Sequence, residues 1–196
     1  MSMIVALLTL PSAPAPAPCS YDRGAMLALS ELSFDQDMTG GWRKLAYAGC
    51  EAQAADLIRD WRAAHAAEPL RNRAVSFWHE GQLRANLGQT QRAIALFSRS
   101  RKTAQEDAGF GWNHYVDGSI AFLRGDRTAF DAAYDRLATT PRPAGLNMTG
   151  PDGKPVAVHW PMNLNVLAGL RSCWGQPYRR AYACAVPIKR VDIPAS

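Results

Sequence analysis

A spacing of 37 residues recurs in the middle of this chain, and it constrains the fold more than any other feature. The like residues found at this spacing are Trp78 and Tyr115, Gly81 and Gly118, Gly88 and Gly125, and Phe97 and Tyr134. A period of roughly 20–50 residues is typical of stacked supersecondary units. We therefore predict that one helix–turn–helix unit is written twice. The alternative is a helical bundle without a repeat that contains two similar hairpins by coincidence.

Glycine has two separate roles in such a unit. A small residue lets the second helix cross the first closely, and Gly81 and Gly118 stand where this crossing is expected. The tight turn needs a residue that adopts positive φ, which Gly88 and Gly125 provide. From Tyr21 onward the chain is predicted to be helical, because Ala, Leu, Arg and Glu are frequent and β-branched residues are few before about residue 156. The predicted helices run over 24–33, 42–48, 51–65, 72–86, 89–104, 112–123, 127–138 and 162–174.

The two units resemble tetratricopeptide repeats. In the first unit, the residues that match the family pattern are Trp78, Gly81, Gly88, Ala93 and Phe97. In the second unit, they are Tyr115, Gly118, Gly125 and Tyr134, while Phe130 stands where the family prefers alanine. The family period is roughly 34 residues, so a longer connector is implied at 107–111. A weaker unit could precede these two, beginning near Trp42 with Gly49 at its turn.

The resemblance implies an all-α fold, a TPR-like stack of two to three helical hairpins with a C-terminal capping helix. The repeat domain would occupy 21–140. Residues 141–196 would hold a loop, the capping helix at 162–174 and a tail from 187. The loop contains the sequence PDGKP, which favours a turn because Pro sets φ and Asp-Gly adopts a left-handed corner.

Residues 1–18 form a region of different composition. An apolar run at 3–10 is followed by a tract of Pro and Ala. The run is too short to span a bilayer, which needs about twenty apolar residues, but it fits the central region of a secretory signal. No Lys or Arg precedes it, so a disordered N-terminus is the alternative.

The four cysteines, Cys19, Cys50, Cys173 and Cys184, together with the signal-like N-terminus predict two disulfides. Four cysteines allow three pairings. We favour Cys173–Cys184, because the residues between them include Gly and Pro and can turn back, and Cys19–Cys50 then follows. Four reduced thiols are one alternative, and lipidation of Cys19 is another. The expected location is periplasmic or secreted.

Candidate catalytic groups are few. His79 and His114 belong to the first helices of adjacent units and could share a metal or ligand, although two partly exposed histidines are the simpler interpretation. Asp35 and Asp37 resemble the first half of a calcium loop, but the central Gly and the final Glu are missing. No phosphate-binding loop is present. We therefore expect a protein that is not an enzyme and that uses no cofactor or metal.

The first helix of each unit lines a concave groove in the repeat family. The residues at the matching positions are Trp78, Gln82, Asn86, Trp112, Tyr115 and Ser119. Aromatic rings supply contact area and amides pair with a peptide backbone, so we expect these residues to bind a protein or peptide partner. The alternative is that the aromatic stripe is core.

The net charge is +5, and residues 71–102 contain seven basic residues against Glu80 alone. This segment could dock an acidic partner, although such a run is more often a solvated face. No nucleic-acid motif accompanies it, and no transmembrane segment is expected. The predicted function is a non-enzymatic adaptor of the cell envelope. The alternatives are a small periplasmic enzyme or ligand carrier on a helical scaffold, or an inhibitor or immunity protein.

Overall fold

The computed structural model of the protein describes residues 19–149, 154–156 and 159–184. Its α-helices are α1 (Arg23–Leu27), α2 (Gly41–Tyr47), α3 (Glu51–Ala64), α4 (Arg73–Asn86), α5 (Thr90–Arg99), α6 (Ala104–Asp107), α7 (Trp112–Arg124), α8 (Arg127–Ala138), α9 (Leu164–Ser172) and α10 (Tyr178–Ala183). A π-helical turn (Leu32–Gln36) lies between α1 and α2. The predictions for 1–18 and for the tail from 187 lie outside the described residues.

The predicted all-α class is confirmed. Two short strands, β1 (Met148–Thr149) and β2 (Pro155–Val156), form an antiparallel pair in which Met148 lies opposite Val156. They flank the predicted PDGKP turn, whose residues 150–153 lie outside the described chain. Among the described helices, none combines the length and the apolar character that crossing a membrane requires.

Two predicted helices differ from those observed. The helix predicted over 24–33 ends at Leu27, and the chain continues into the π-helical turn. The helix predicted over 89–104 ends at Arg99. A separate helix, α6, starts at Ala104 because the side chains of Thr103 and Glu106 form a capping box with each other's backbone N–H groups, at 3.2 and 2.8 Å.

The crossing of α4 over α5 follows the glycine prediction. A Cβ atom at Gly81 would lie 2.6 Å from Cδ1 of Phe97, so only glycine allows this separation of the two helices. The Phe97 ring is fully buried and stacks on Trp78 with a centroid distance of 4.2 Å. The turn that joins the two helices contains Gly88 at a φ of 72°, as expected for a left-handed helix end.

The second hairpin differs from the first at the matching glycine. Gly118 was expected to face α8, but a Cβ atom there would meet Leu167 of α9 at 2.8 Å. The phenyl ring of Phe130 provides a reason, because α8 has this large buried residue where α5 has Ala93. Helix α9 therefore packs on both α7 and α8, and it closes this side of the hairpin.

The buried residues form two hydrophobic clusters. The first cluster contains residues of the π-helical turn, α2 and α3, including Phe34, Trp42 and Trp61. The second contains residues of α4, α5 and α7–α10. Among the described helices, α4 alone contributes to both, with Leu83 in the first cluster and Trp78 in the second. This helix is the structural connection between the two halves.

A buried ionic network joins α3 to α4. The Glu80 carboxylate is almost fully buried and accepts hydrogen bonds from Arg62 at 2.5 Å and from Arg84 at 3.4 Å. Arg84 also donates to Asp56 at 2.6 Å, and the more exposed Arg92 lies 3.3 Å from Glu80. Burial lowers the pKa of the Arg62 guanidinium, and the charge of Glu80 opposes that effect. Arg62 therefore depends on Glu80 for its charge balance, whereas Arg84 is balanced by both Glu80 and Asp56.

The predicted disulfide pairs are present. The sulfur atoms of Cys19 and Cys50 lie 1.99 Å apart, and those of Cys173 and Cys184 lie 1.98 Å apart. The first pair ties the start of the described chain to the residue that precedes α3. The second pair encloses α10. Disulfides of this kind are typical of proteins in oxidising compartments.

Candidate functional site

Most of the predicted groove residues are in the core, and the groove prediction is wrong for them. Trp78, Tyr115 and Ser119 are buried, and the rings of Trp78 and Tyr115 pack together with centroids 4.6 Å apart. Trp112 is partly buried, and its indole N–H donates to the carbonyl of Ser100 at 2.7 Å. These side chains fill the space between helices, and α10 adds Tyr178 to the same cluster. The expected concave face of α7 is therefore occupied by the protein itself.

The other two predicted residues, Gln82 and Asn86, line a cavity of about 340 Å³ between α2, α4 and α10. Helix α2 contributes Trp42, Arg43, Ala46 and Tyr47 to its wall. Helix α4 contributes His79, Gln82, Leu83 and Asn86. Glu51 at the start of α3 and Tyr178 and Tyr182 of α10 complete it. The cavity is thus the place where the two hydrophobic clusters meet.

A close contact between the π-helical turn and α2 shapes the first wall. Gly41 has a φ of 51°, and a Cβ atom there would lie 1.9 Å from the carbonyl oxygen of Phe34. Because glycine permits this approach, Asp35 reaches the side of α2 and accepts the indole N–H of Trp42 at 2.9 Å. Arg43 donates to the backbone carbonyl of Asp35 and lies over the Trp42 ring at 4.3 Å. These contacts hold Trp42 and Arg43 in place.

Asp35 also forms a hydrogen bond with His79, whose Nδ1 lies 2.7 Å from its carboxylate. Burial alone would raise the pKa of Asp35, but the hydrogen bond and charge of His79, the indole of Trp42 and the charge of Arg43 hold it below its usual value. The carboxylate is therefore ionised at neutral pH. It fixes Nδ1 of the imidazole as a donor and leaves Nε2 as the acceptor in the neutral ring.

Helix α10 forms the opposite wall with two tyrosines. The hydroxyl group of Tyr178 is buried, and Gln82 of α4 lies beside it. Burial and the nearby Tyr182 raise the pKa of Tyr178 well above its usual value, and the side chain of Gln82 partly offsets that rise. Burial likewise raises the pKa of Tyr115, with contributions from Tyr182 and Tyr178. The three phenol groups are therefore neighbours, with Tyr178 and Tyr182 in the cavity wall and Tyr115 in the core.

An ion pair crosses the cavity edge between residues far apart in the chain. Arg179 of α10 donates to Glu51, which begins α3, and Asn86 of α4 donates to the same carboxylate at 3.2 Å. The Glu51 side chain is 11% exposed, whereas that of Arg179 is 60% exposed. The carboxylate thus belongs to the cavity wall, and its cation approaches from the solvent.

The basic segment at 71–102 is largely engaged inside the protein. Arg73 donates to carbonyls of the segment that follows α3, at His65, Ala66 and Glu68. Arg84 and Arg92 pair with Glu80. The guanidinium of Arg99 lies over the Phe77 ring, Lys102 lies over Trp112, and Arg101 pairs with Asp117. Six of the seven basic side chains therefore have contacts within the protein, and an acidic partner stays a prediction.

The histidines and aspartates singled out in the sequence do not form a metal site. His79 binds Asp35, whereas His114 lies near Thr140 at the edge of a different pocket, so the two do not meet. Asp37 accepts the backbone N–H and hydroxyl of Thr39 at 2.8 and 2.9 Å. Within the described ranges, no group of three or more His, Cys, Asp or Glu side chains could hold a metal ion.

Several site residues escaped the sequence prediction. The contact between Asp35 and His79 joins residues 44 positions apart, and no local pattern indicates it. The sequence does indicate helix α10, because Tyr178, Ala181 and Tyr182 follow Pro177 at helical spacing. Because a cysteine lies on either side of this segment, a turn is predicted there instead of a helix.

Comparison of the chain with models of known protein families gives no match, and comparisons with curated proteins and with solved structures give none either. The fold and the cavity define a class: an all-α protein with two disulfides and a polar, aromatic-lined cavity between helices.

Proposed function

We propose that this protein is a non-enzymatic binding protein of an oxidising, extracytoplasmic compartment, and that it captures a peptide segment of a partner in the cavity between α2, α4 and α10. The hairpins α4–α5 and α7–α8 would be successive TPR-like units, with α9 as the capping helix. One observation carries the proposal: a cavity of about 340 Å³ lies between α2, α4 and α10, with His79, Gln82 and Asn86 on one wall and the rings of α2 and α10 on the others. A concave site lined by rings and a few polar side chains is the arrangement typical of ligand-binding sites.

The polar groups on α4 suit a peptide backbone. His79, Gln82 and Asn86 are separated by three and four positions, so they share one face of the helix with a rise of about 4.5 and 6 Å between them. An extended peptide advances about 3.3 Å per residue, so these groups would match a segment of about three residues. Amide side chains both donate and accept, as peptide groups do.

The aromatic groups suit an anchoring side chain. Trp42 and Tyr47 stand on α2, and Tyr178 and Tyr182 stand on α10. Tyr47 is largely exposed at the rim, while Trp42 and Tyr178 are buried. Buried rings around a cavity, with a polar rim, form the arrangement in which one inserted side chain supplies most of the affinity of an interface.

Selection from a random peptide library displayed on phage tests this function. The oxidised protein should enrich a family of related peptides, and the variant Gln82→Arg should not, because the larger charged side chain fills the cavity. Gln91→Arg is the matched control, since it makes the same change at an exposed position of α5. A thermal melt should show that both variants are folded. The proposal is wrong if no family is enriched, or if Gln82→Arg enriches the same family.

The pair formed by Asp35 and His79 favours a second candidate, an enzyme that uses His79 as a general base. An ionised carboxylate that orients an imidazole beside a cavity is the arrangement that proton transfer requires. The selected peptides distinguish the two candidates. Mass spectrometry after incubation should return them intact from a binding protein, whereas an enzyme would convert them and His79→Ala would stop the conversion.

A further inference from the structure

We infer that the anchoring group is an arginine side chain of the partner, and that it binds Glu51 in place of the protein's own Arg179. This inference rests on the proposed function, since it names the chemistry of the segment that the cavity would receive.

The first observation is the asymmetry of the ion pair at the cavity edge. Glu51 is fixed, because it lies at the start of α3, is nearly buried and accepts a hydrogen bond from Asn86. Arg179 is 60% exposed and reaches the carboxylate from outside. Exposed arginines contribute little to stability through such pairs. Exchange of one guanidinium for another would therefore preserve the ion pair and return Arg179 to water.

The second observation is the set of acceptors around Glu51. Asn86 uses its Nδ2 group to donate to Glu51, which leaves its Oδ1 atom as an acceptor. Gln82 lies beside Tyr178 in the cavity wall, and its amide oxygen is a further acceptor. A guanidinium group has five donors and no acceptor, so it matches this set better than a hydroxyl or a carboxylate does.

The third observation concerns charge and rings. Arg43 of the cavity wall donates to the backbone carbonyl of Asp35, and the charge of Arg43 adds to His79 and Trp42 in holding the pKa of that carboxyl down, so the charge of Arg43 is already balanced. When Arg179 moves into the solvent, the Glu51 carboxylate gives the open cavity a negative charge. Trp42 already holds one guanidinium over its ring, at 4.3 Å from Arg43. Arginine is the cation that stacks best on such rings.

Nuclear magnetic resonance titration tests the inference with three small probes: the N-acetyl, N-methylamide derivatives of arginine, citrulline and glutamate. Citrulline has nearly the shape of arginine without its charge. We expect the arginine probe to shift the indole N–H signal of Trp42 and the side-chain amide signals of Gln82 and Asn86. The citrulline probe should bind at least about tenfold more weakly, as expected for the loss of charge-assisted hydrogen bonds.

Two variants then give opposite results. Glu51→Gln should weaken binding of the arginine probe by about tenfold or more, because it removes the charged acceptor. Arg179→Ala should strengthen binding by about two- to fivefold, because it removes the competing guanidinium of an exposed ion pair. Arg180→Ala is the matched control on the exposed side of α10 and should leave the affinity unchanged. If the ion pair had only a structural role, Arg179→Ala would not increase the affinity for the arginine probe.

The inference is overturned if arginine binds no better than citrulline, or if Arg179→Ala weakens binding. If the phage selection enriches peptides that lack arginine and depend on Gln82, the proposed function holds and the arginine anchor is wrong. If no peptide is enriched and no probe shifts the cavity signals, both are wrong.

Discussion

The crossing of α4 over α5 predicts that Gly81→Ala destabilises the protein even though alanine is the better helix former. The new Cβ atom would lie 2.6 and 2.7 Å from two carbons of the Phe97 ring and 3.3 Å from Cβ of Leu96. The ring would have to move about 0.8 Å to reach ordinary contact at 3.4 Å. It cannot do so freely, because it is fully buried and stacked on Trp78.

The expected loss follows from two opposing effects. Overpacking of a buried site costs about 1–3 kcal/mol, whereas replacement of glycine by alanine inside a helix contributes about 0.5–1 kcal/mol of stability. The net loss should be about 1–2 kcal/mol in the free energy of unfolding. For a chain of this size, this corresponds to a fall in Tm of about 2–8 °C.

Gly118→Ala is the matched control. Its Cβ atom would meet Cδ1 and Cδ2 of Leu167 at 2.8 and 3.0 Å; this side chain is also buried, but its two methyl carbons end a flexible aliphatic chain, whereas the Phe97 ring is rigid. The two changes share the same gain in helix propensity, so the difference between them reports the rigidity of the neighbour. Gly118→Ala should lie within about 1 kcal/mol of the wild type.

Urea unfolding followed by circular dichroism at 222 nm, without reductant, measures both variants. The slope of the free energy with urea should not change, since the surface exposed on unfolding is the same. If Gly81→Ala is as stable as Gly118→Ala, the contact with Phe97 is not rigid and the explanation of the crossing fails.

Three further predictions concern buried charge, pH and the second disulfide. Glu80→Ala should cost about 3–5 kcal/mol because it leaves the buried guanidinium of Arg62 without a carboxylate and removes one of the two carboxylates that Arg84 contacts, whereas Arg92→Ala, at a partly exposed partner, should change stability by less than about 1 kcal/mol in the same urea assay. The pKa of Asp35 is lower in the folded protein than its ordinary value of 3.8. The ionised carboxylate therefore contributes fully to the free energy of unfolding above pH 3.8, and this contribution is lost as the pH falls through the folded pKa. In Asp35→Asn, urea midpoints between about pH 2 and 5 should therefore vary less with pH than in the wild type. Replacement of Cys173 and Cys184 by serine together should cost about 3 kcal/mol by the loop-closure relation, and an unchanged melting temperature would show that the bond does not constrain the chain.

Residue types and their local spacing in the sequence are sufficient to predict much of the fold. Helix ends followed from residues with special backbone freedom, such as Gly88 and Gly125, which both adopt positive φ. The cysteine pairing followed from the short segment between Cys173 and Cys184. These features depend on neighbours in the chain, so periodicity and turn chemistry are enough to predict them.

The site was harder to predict because it depends on what covers each helix face. The pattern in α7 indicates which side of the helix is inward, but it does not show that α9 and α10 occupy that side. Tyr115 and Ser119 are buried for this reason. On α4 the same face continues beyond the covered part, and Gln82 and Asn86 remain at the cavity.

Because α4 alone contributes buried residues to both hydrophobic clusters in the described chain, the molecule need not unfold as one unit. Amide hydrogens of α1–α3 could exchange with solvent while the cluster around Phe97 stays intact, and the reverse opening is equally allowed. The cavity lies between the two hydrophobic clusters, so the width of the cavity would change as the two halves of the molecule hinge about α4. A ligand that touches Trp42 on one side and Tyr182 on the other would therefore couple their opening, and it would raise the cooperativity of unfolding as well as the stability.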